Sequence, residues 1–149
     1  MKYLVSMFFF ILVFTISKVD TVIAYEGDAV IGIWLTQDKD SKIEIYKKGD
    51  KYYGKIIWLK EPNRKGKPKV DDKNPDPKKQ DRAIMGLVIL KRFVYDDDYE
   101  WEDGEIYDPK SGKTYSCNME LSKDKKTLEV RGYIGISLFG RTAVWTRSK

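Results

Sequence analysis

From near residue 31 almost to residue 149, the chain is a succession of short, strand-like segments. Each segment is rich in β-branched or aromatic residues and ends at Gly, Asp, Asn or Pro, as antiparallel strands joined by tight turns do. After residue 24, no stretch shows the apolar period of an amphipathic helix. The sequence therefore predicts an all-β fold, with a turn at 102–104 and strands over residues 31–36, 42–46, 51–59, 87–95, 99–102, 105–107, 114–121, 127–134 and 141–147.

Several of these segments alternate between an apolar and a polar face, because successive side chains of a strand point to opposite sides. In the segment 114–121, Tyr115, Cys117 and Met119 share one face, and four polar residues share the other. One dry and one wet face suit a single antiparallel up-and-down β-barrel of about eight or nine strands, with a sandwich as the alternative. An eight-stranded barrel is either filled by side chains or holds one small ligand. The alternation leaves both possibilities open.

If the barrel is hollow, the aromatic and apolar residues on its inward face would contact a hydrophobic ligand. The alternation places six such residues inside, and we expect them to line the ligand site: Tyr52, Ile56, Trp58, Tyr115, Met119 and Trp145. The other interpretation is that these side chains simply form a packed core.

The first 24 residues have the pattern of a signal peptide. Lys2 precedes an apolar run over 4–16, and Val22 and Ala24 occupy the small-residue positions before a cleavage site. The run is shorter than the roughly 20 residues that a membrane-spanning helix needs. We therefore expect a cleaved leader over 1–24, with retention as an N-terminal anchor as the alternative, and a β-barrel domain over 25–149. The expected location is the periplasm or the outside of the cell.

Composition excludes several kinds of site. The chain has no His and a single Cys, so it cannot build a Ser-His-Asp triad, a Cys-His dyad or a four-Cys zinc site. The SGKT string at 111–114 lacks the first Gly of a phosphate-binding loop, because Tyr107 stands there. Asp72, Asn74 and Asp76 have part of a calcium-loop spacing, but the Gly and Glu that should follow are missing. We expect no metal, no cofactor and no enzymatic activity, and export argues against a nucleic-acid partner despite the net charge of +5.

Residues 60–82 show no apolar period. They contain nine basic and five acidic residues and four of the five prolines. We expect a long, basic, irregular loop, which is either merely solvated or serves as a lid or docking arm for anionic groups such as lipid phosphates. The lysines that we expect to contact an anionic surface are Lys65, Lys67, Lys69, Lys78 and Lys79.

The first and last strands each carry a motif. The first contains GIW at 32–34, and the last ends with WTR at 145–147. This pair resembles the lipocalin and fatty-acid-binding group, in which an Arg of the last strand packs on the Trp of a G-x-W in the first. The resemblance implies a calycin-like barrel closed by Gly32, Trp34 and Arg147, with Arg141 as the alternative arginine. A guanidinium stacked on the Trp ring would contribute about 0.5–2 kcal/mol.

A second resemblance covers nearly all of residues 31–147. It is carried by the strings GIWLTQDKDSKIEIYKKGDKYYGKIIWLKEP, DDKNPDP, GLVILKRFVYDDDYEWEDGEIYDPKSGKTYSCNMEL and LEVRGYIGISLFGRTAVWTR. On these strings the chain is similar to an exported bacterial family known as domain of unknown function 2147. The resemblance implies a bacterial envelope protein, and it brings neither an activity nor catalytic residues.

Three functions are compatible with these observations. The first is a protein that binds a small hydrophobic or lipid-like ligand in its barrel, with the basic loop acting at an anionic membrane surface. The second is an interaction protein with a filled barrel, whose loop contacts an anionic envelope polymer or another protein. The third and weakest is a hydrolase that uses two carboxylates which the sequence does not mark. A hollow interior would favour the first function.

Overall fold

The computed structural model describes residues 26–136 and 140–149. The expected leader over 1–24 lies outside the described residues, as does part of the turn before the last strand. Two short 3-10 turns, Asp28–Val30 and Pro77–Lys79, accompany the strands. The strands are β1 (Gly32–Leu35), β2 (Ser41–Lys48), β3 (Lys51–Leu59), β4 (Asn63–Arg64), β5 (Lys67–Pro68), β6 (Val88–Tyr95), β7 (Glu100–Asp108), β8 (Lys113–Leu121), β9 (Thr127–Tyr133) and β10 (Arg141–Ser148).

Eight of these strands close into an antiparallel barrel in the order β1-β10-β9-β8-β7-β6-β3-β2. The remaining two, β4 and β5, form a separate hairpin between β3 and β6. The first and last barrel strands pair directly, with Trp34 opposite Arg147. This closure leaves no free sheet edge in the barrel. The prediction of an all-β, up-and-down barrel of about eight strands is confirmed.

The predicted turn at 102–104 is wrong, because one continuous strand, β7, runs through these residues. A register shift between Trp101 and Gly104 absorbs the irregularity, and Asp103 has a positive φ of 57° there. A β-bulge of this kind places extra polar residues in a strand without ending it. The two segments predicted over 99–107 are therefore a single bulged strand.

A second bulge changes the orientation of Trp58. In the pairing of β2 with β3, Lys42 lies opposite Trp58 and the next residue, Ile43, lies opposite Ile56. The extra residue reverses the inward-outward alternation at the end of β3. Trp58 is therefore 39% exposed, and the Lys42 ammonium lies 5.9 Å from its ring centroid. This outward position differs from the inward one that simple alternation predicts.

We call the barrel end at which β1 begins and β10 finishes the floor, and the opposite end the mouth. The floor half of the interior is filled by buried side chains, among which the ring of Tyr52 meets that of Trp101 edge-on at 6.2 Å between centroids. Side chains in this packed half include Trp34, Ile45, Tyr52, Phe93, Trp101, Met119, Leu121 and Leu128.

Arg147 seals the floor. Its guanidinium lies 4.2 Å from the centroid of the Trp34 ring and donates hydrogen bonds to the carbonyls of Ala29, Ile31 and Lys125 at 2.7, 3.1 and 2.7 Å. Gly32 makes this possible, because a Cβ there would stand 2.8 Å from a guanidinium nitrogen. The segment before β1 is thereby held across the bottom of the barrel.

Asp28 provides a second anchor for this N-terminal segment. Its carboxylate accepts hydrogen bonds from the Tyr52 hydroxyl at 2.6 Å and the Lys47 ammonium at 2.8 Å. Burial alone would raise the pKa of Asp28, but the hydrogen bonds from Lys47 and Tyr52 outweigh it and lower that pKa. Burial and the neighbouring carboxylate raise the pKa of Tyr52. The floor is thus closed by polar contacts as well as by packing.

Candidate functional site

The mouth half of the barrel is hollow. It contains a cavity of about 900 Å³ that is open to solvent, and this volume is within the size range of pockets that hold small molecules. Two small residues, Gly132 and Ala143, contribute to the wall and leave space that larger side chains would fill. The apolar part of the wall consists of Ile56, Leu59, Val70, Ile84, Ile89, Ile106, Tyr115, Val130, Ala143 and Trp145.

The six residues expected to line a ligand site are divided between three places. Ile56, Tyr115 and Trp145 lie in the cavity wall. Tyr52 and Met119 face inward but belong to the packed floor half. Trp58 lies on the outer surface because of the bulge described above.

The inward face of β10 runs from the mouth to the floor. Its inward residues are Arg141, Ala143, Trp145 and Arg147, and the first three line the cavity. Residues two apart in a strand are separated by roughly 6.6 Å. The strand therefore offers a cation at the mouth, an open space at Ala143, an indole ring in the wall, and the sealing arginine below.

An ion pair bridges the mouth. The Lys110 ammonium lies 2.6 Å from an Asp40 carboxylate oxygen and 3.9 Å from Asp38. Lys110 belongs to the turn between β7 and β8, and Asp40 to the loop between β1 and β2, on opposite sides of the barrel. Burial alone would raise the pKa of Asp40. Hydrogen bonds from Lys110, Ser41 and Thr36 together outweigh this effect, and the pKa is lowered from its ordinary value.

The Asp40 hydrogen bond raises the pKa of Lys110. Both side chains are partly solvated, with the lysine 70% exposed, so we expect the ion pair to contribute no more than about 1 kcal/mol. An ion pair this weak opens readily.

Other charged groups surround the mouth. The Arg64 guanidinium lies 2.6 Å from Asp72, and the Lys69 ammonium lies 3.9 Å from Glu61. Within the described residues, two further cations of the cavity rim, Lys60 and Arg141, form no ion pair. The cavity thus has an apolar interior and a charged rim.

Residues 60–87 form a lid beside the mouth. The sequence predicts an irregular loop over most of this segment, whereas the structure contains the β4–β5 hairpin and the Pro77–Lys79 turn. The lid returns to the barrel through backbone hydrogen bonds from Ile56 to Leu87 (3.0 Å) and from Gly86 to Ile56 (2.8 Å). Ile84 and Leu87 are buried, so the returning part of the lid belongs to the core.

A buried carboxylate ties the lid to the barrel wall. Asp71 is fully buried and accepts hydrogen bonds from the Tyr107 hydroxyl at 2.6 Å and the Asn74 amide at 2.8 Å. Arg82 donates to the same carboxylate through two nitrogens, each at 2.8 Å. Burial and the Asp71 carboxylate raise the pKa of Tyr107. With donors on both oxygens, the charge of Asp71 is compensated inside the protein.

The amino-acid sequence does not mark this network. Asp71 stands beside Asp72 in a strongly charged segment, and nothing local distinguishes the buried carboxylate from the exposed one. The carbonyl oxygen of the Asn74 side chain accepts a hydrogen bond from the Asp76 backbone at 2.9 Å, and Asp76 accepts one from the Lys78 backbone at 3.0 Å. These contacts are typical of turns.

The five lysines expected to bind anions occupy three parts of the lid. Lys65 and Lys67 lie on the exposed β4–β5 hairpin. Lys78 and Lys79 lie on the 3-10 turn, where Lys79 is 3.6 Å from Asp76. Lys69 is half-buried and faces Glu61.

The remaining reactive groups are not arranged as a metal or thiol site. Within 26–136 and 140–149, no cluster of three His, Cys, Asp or Glu side chains is placed to hold a metal ion. Cys117 is buried, and burial raises the pKa of its thiol to about 12. In the same part of the chain, no helix has the length and apolarity needed to cross a bilayer.

Comparison with known proteins agrees with this fold. A solved structure titled "Protein HP1028 from the human pathogen Helicobacter pylori belongs to the lipocalin family" superposes with a TM-score of 0.73. The two chains are 26% identical, and the match covers 80% of this chain and 83% of the other. The fold is lipocalin-like. The search of curated proteins gives no match. A family model matches residues 32–147, and the chain therefore belongs to the bacterial family described as "Uncharacterized protein conserved in bacteria (DUF2147)".

Proposed function

We propose that this protein binds a small hydrophobic or lipid-like molecule in the mouth half of its barrel. The observation that carries the proposal is the contrast between a tightly filled floor half and a cavity of about 900 Å³ with a largely apolar wall. A barrel that served only as a scaffold would gain stability by filling this space. The lipocalin-like fold supports the same function.

The floor is sealed by Arg147 and the N-terminal segment, so the ligand passes through the mouth. There it meets the lid and the Lys110–Asp40 ion pair, which contributes too little to hold the mouth shut. The buried Asp71 carboxylate accepts hydrogen bonds from Tyr107, Asn74 and Arg82, so we assign it to the structure of the lid and not to catalysis.

Two substitutions on β10 test the cavity. Ala143→Phe places a ring inside the space, whereas Val144→Phe, one residue along the strand, places it on the outer face, where Val144 is 41% exposed. The probe is N-phenyl-1-naphthylamine, an uncharged dye that fluoresces in apolar sites. We expect the wild type and Val144→Phe to bind the dye and Ala143→Phe to lose at least tenfold in affinity while unfolding at a similar temperature.

Two results would refute ligand binding in the barrel. One is a wild-type protein that does not bind the dye at any accessible concentration. The other is equal affinity in the two folded variants, which would place the dye outside the barrel.

We further propose that the protein is exported, to the periplasm or beyond, after cleavage behind Ala24. The apolar run over 4–16 and the small residues before the cleavage point support this location. Expression of the full chain in a bacterium, followed by cell fractionation and mass measurement, tests it. A cytoplasmic protein of full mass would contradict the proposal, and a mass matching residues 25–149 in the envelope or medium is the expected result.

A second candidate function is docking of the β4–β5 hairpin on an anionic membrane surface. Lys65 and Lys67 flank Gly66 at its exposed tip and form no ion pair within the described residues. The hairpin lies at the same end of the barrel as the cavity mouth, where a lipid-like ligand would enter. Attraction to anionic lipids contributes about 1 kcal/mol per basic residue near the surface.

Vesicle co-sedimentation tests this docking. The double variant Lys65→Gln, Lys67→Gln should bind phosphatidylglycerol-containing vesicles several-fold less than the wild type. Lys48→Gln with Lys51→Gln makes the same charge change around the β2–β3 turn at the floor and should have little effect. Equal losses of vesicle binding in both double variants would show that the hairpin does not dock on the membrane. Sedimentation of the protein with an anionic cell-wall polymer, but not with vesicles, would identify the polymer as the partner instead.

A further inference from the structure

The two arginines of the inward face of β10 have different surroundings. Arg147, at the floor, stacks on Trp34 and donates to three backbone carbonyls. Arg141, at the mouth, lines the cavity rim and forms no ion pair within the described residues. The barrel is closed without Arg141, so its charge is available at the opening.

The carboxylates of the rim already have partners. Asp40 pairs with Lys110, Asp72 with Arg64, and Glu61 faces Lys69. Asp108 accepts hydrogen bonds from the Lys110 backbone at 3.0 Å and the Ser111 hydroxyl at 2.7 Å, and Asp38 lies 3.9 Å from Lys110. Asp108 thus has neutral donors and no ion pair within the described residues, and Asp38 shares Lys110 with Asp40. The rim cations that form no ion pair in this part of the chain are Arg141 and Lys60.

Lys60 is held at the rim by its backbone. Its amide donates a hydrogen bond of 2.8 Å to the carbonyl of Asp40, at the end of the β1–β2 loop. Lys60 follows β3 directly, and Arg141 begins β10, so the two cations approach the opening from different strands of the wall.

Below Arg141, the cavity continues downward as apolar space. Ala143 leaves room beside the strand, and Trp145 lies four residues below Arg141, a distance of about 13 Å along an extended strand. A molecule with an apolar tail and a charged head would match this order of groups. Its tail would contact Ala143, Trp145 and Ile56, and its head would remain at the mouth.

From this arrangement we propose that the ligand is an anionic amphiphile, bound tail-down, with its carboxylate or phosphate head held by Arg141 and with Lys60 adding positive charge at the rim. The inference rests on the proposed ligand binding in the cavity and specifies the class of ligand. A guanidinium binds either anion through two parallel hydrogen bonds, and a lysine adds a point charge. The net positive charge of the chain also favours the approach of anions.

Displacement of N-phenyl-1-naphthylamine by three amphiphiles with the same tail tests the proposal. The competitors are dodecanoate, dodecyl phosphate and dodecanol, each used below its aggregation concentration. We expect the two anions to bind the wild type about tenfold more tightly than the alcohol, because a hydrogen bond to a charged group contributes roughly that much. A preference between the two anions identifies the head group as carboxylate or phosphate.

Substitutions then assign the effect to the rim. Arg141→Gln should lower the affinity for both anions about tenfold and leave the affinity for dodecanol unchanged. Arg141→Lys, which keeps the positive charge, should retain part of the affinity for the anions. Lys60→Gln should produce a smaller loss of the same kind. Lys126→Gln removes an exposed positive charge at the floor and serves as the control.

The outcomes separate the two proposals. If the dye binds and all three amphiphiles displace it equally well, the anionic head is refuted and ligand binding in the cavity stands. If the loss in Arg141→Gln extends equally to dodecanol, Arg141 acts on the structure and not on the head group, which also overturns the inference. If neither dye nor amphiphile binds, both proposals fail.

Discussion

At the scale of single residues, the position of Gly32 determines how the floor closes. Its φ is +141°, and a Cβ would meet the Arg147 guanidinium at 2.8 Å. The φ angle would strain the backbone of any residue with a side chain, and a Cβ would collide with the guanidinium. The arginine stacks on Trp34 only because the neighbouring position is bare. The G-x-W motif therefore has a packing reason for its glycine.

We predict that Gly32→Ala destabilises the protein by about 2–3 kcal/mol, since it adds strain at a special φ to the displacement of Arg147. Urea denaturation at neutral pH measures the loss. Gly49→Ala is the matched control, because Gly49 also has a positive φ, +65°, but its Cβ would meet nothing within 4 Å. Equal losses in the two variants would show that the contact with Arg147 contributes nothing.

At the scale of elements, the lid depends on one buried carboxylate. Asp71 receives donors from Asn74 and Arg82 within the lid and from Tyr107 in β7. Removing one partner of a buried charged group leaves the others unsatisfied. The lid should therefore loosen as a unit while the barrel remains folded.

We predict that Asp71→Asn accelerates amide exchange in the lid by at least tenfold, particularly at the Asp71 and Ile84 amides, which are bonded to Arg82 and Lys69. Amides of β8 and β9 should exchange at wild-type rates. Asp72→Asn, at the exposed neighbouring carboxylate, should change little. A lid that exchanges equally slowly in both variants would show that the Asp71 network does not hold it.

The outer face of β7 and β8 contains an unfavourable element. Glu100 lies directly opposite Glu120, and Glu120 in turn lies opposite Glu129 on β9. Burial raises the pKa of Glu100 above its ordinary 4.5, and the charges of Glu120, Glu102, Asp98 and Asp97 raise it further. Like charges directly opposite each other in a sheet are destabilising.

We predict that Glu100→Gln stabilises the protein at pH 7 by about 0.5 kcal/mol. The pKa of Glu100 is raised in the folded state, so its negative charge lowers the stability of the wild type only above that pKa. This loss of stability disappears as the pH falls towards 4.5 and below, where the carboxyl is protonated in both the folded and the unfolded state. The gain in melting temperature should therefore vanish near pH 4. Glu105 lies on β7, like Glu100, but it forms an ion pair with Arg92 of β6. Glu105→Gln should therefore give no gain in stability at pH 7. A pH-independent gain would exclude the charge explanation.

For the whole molecule, strand alternation and tight turns predicted an antiparallel barrel or a sandwich, and the motifs of the first and last strands favoured the closed barrel. The features that were not predicted are those in which the orientation or burial of a residue depends on residues distant in the sequence. Trp58 faces outward because of one extra residue in β3, and a bulge at 102–104 has the same composition as a turn. Asp71 is buried because Tyr107, far along the chain, supplies a donor. Alternation also indicated inward residues without showing which half of the barrel is hollow.

The sealed floor has a practical consequence. The last strand ends at Ser148, beside Arg147, so Lys149 leaves the barrel on the side away from the cavity. An affinity tag attached directly after Lys149 would therefore immobilise the protein on a sensor chip with its opening towards the flowing sample. Every attached molecule would present the same orientation, without any change to the residues that surround the opening.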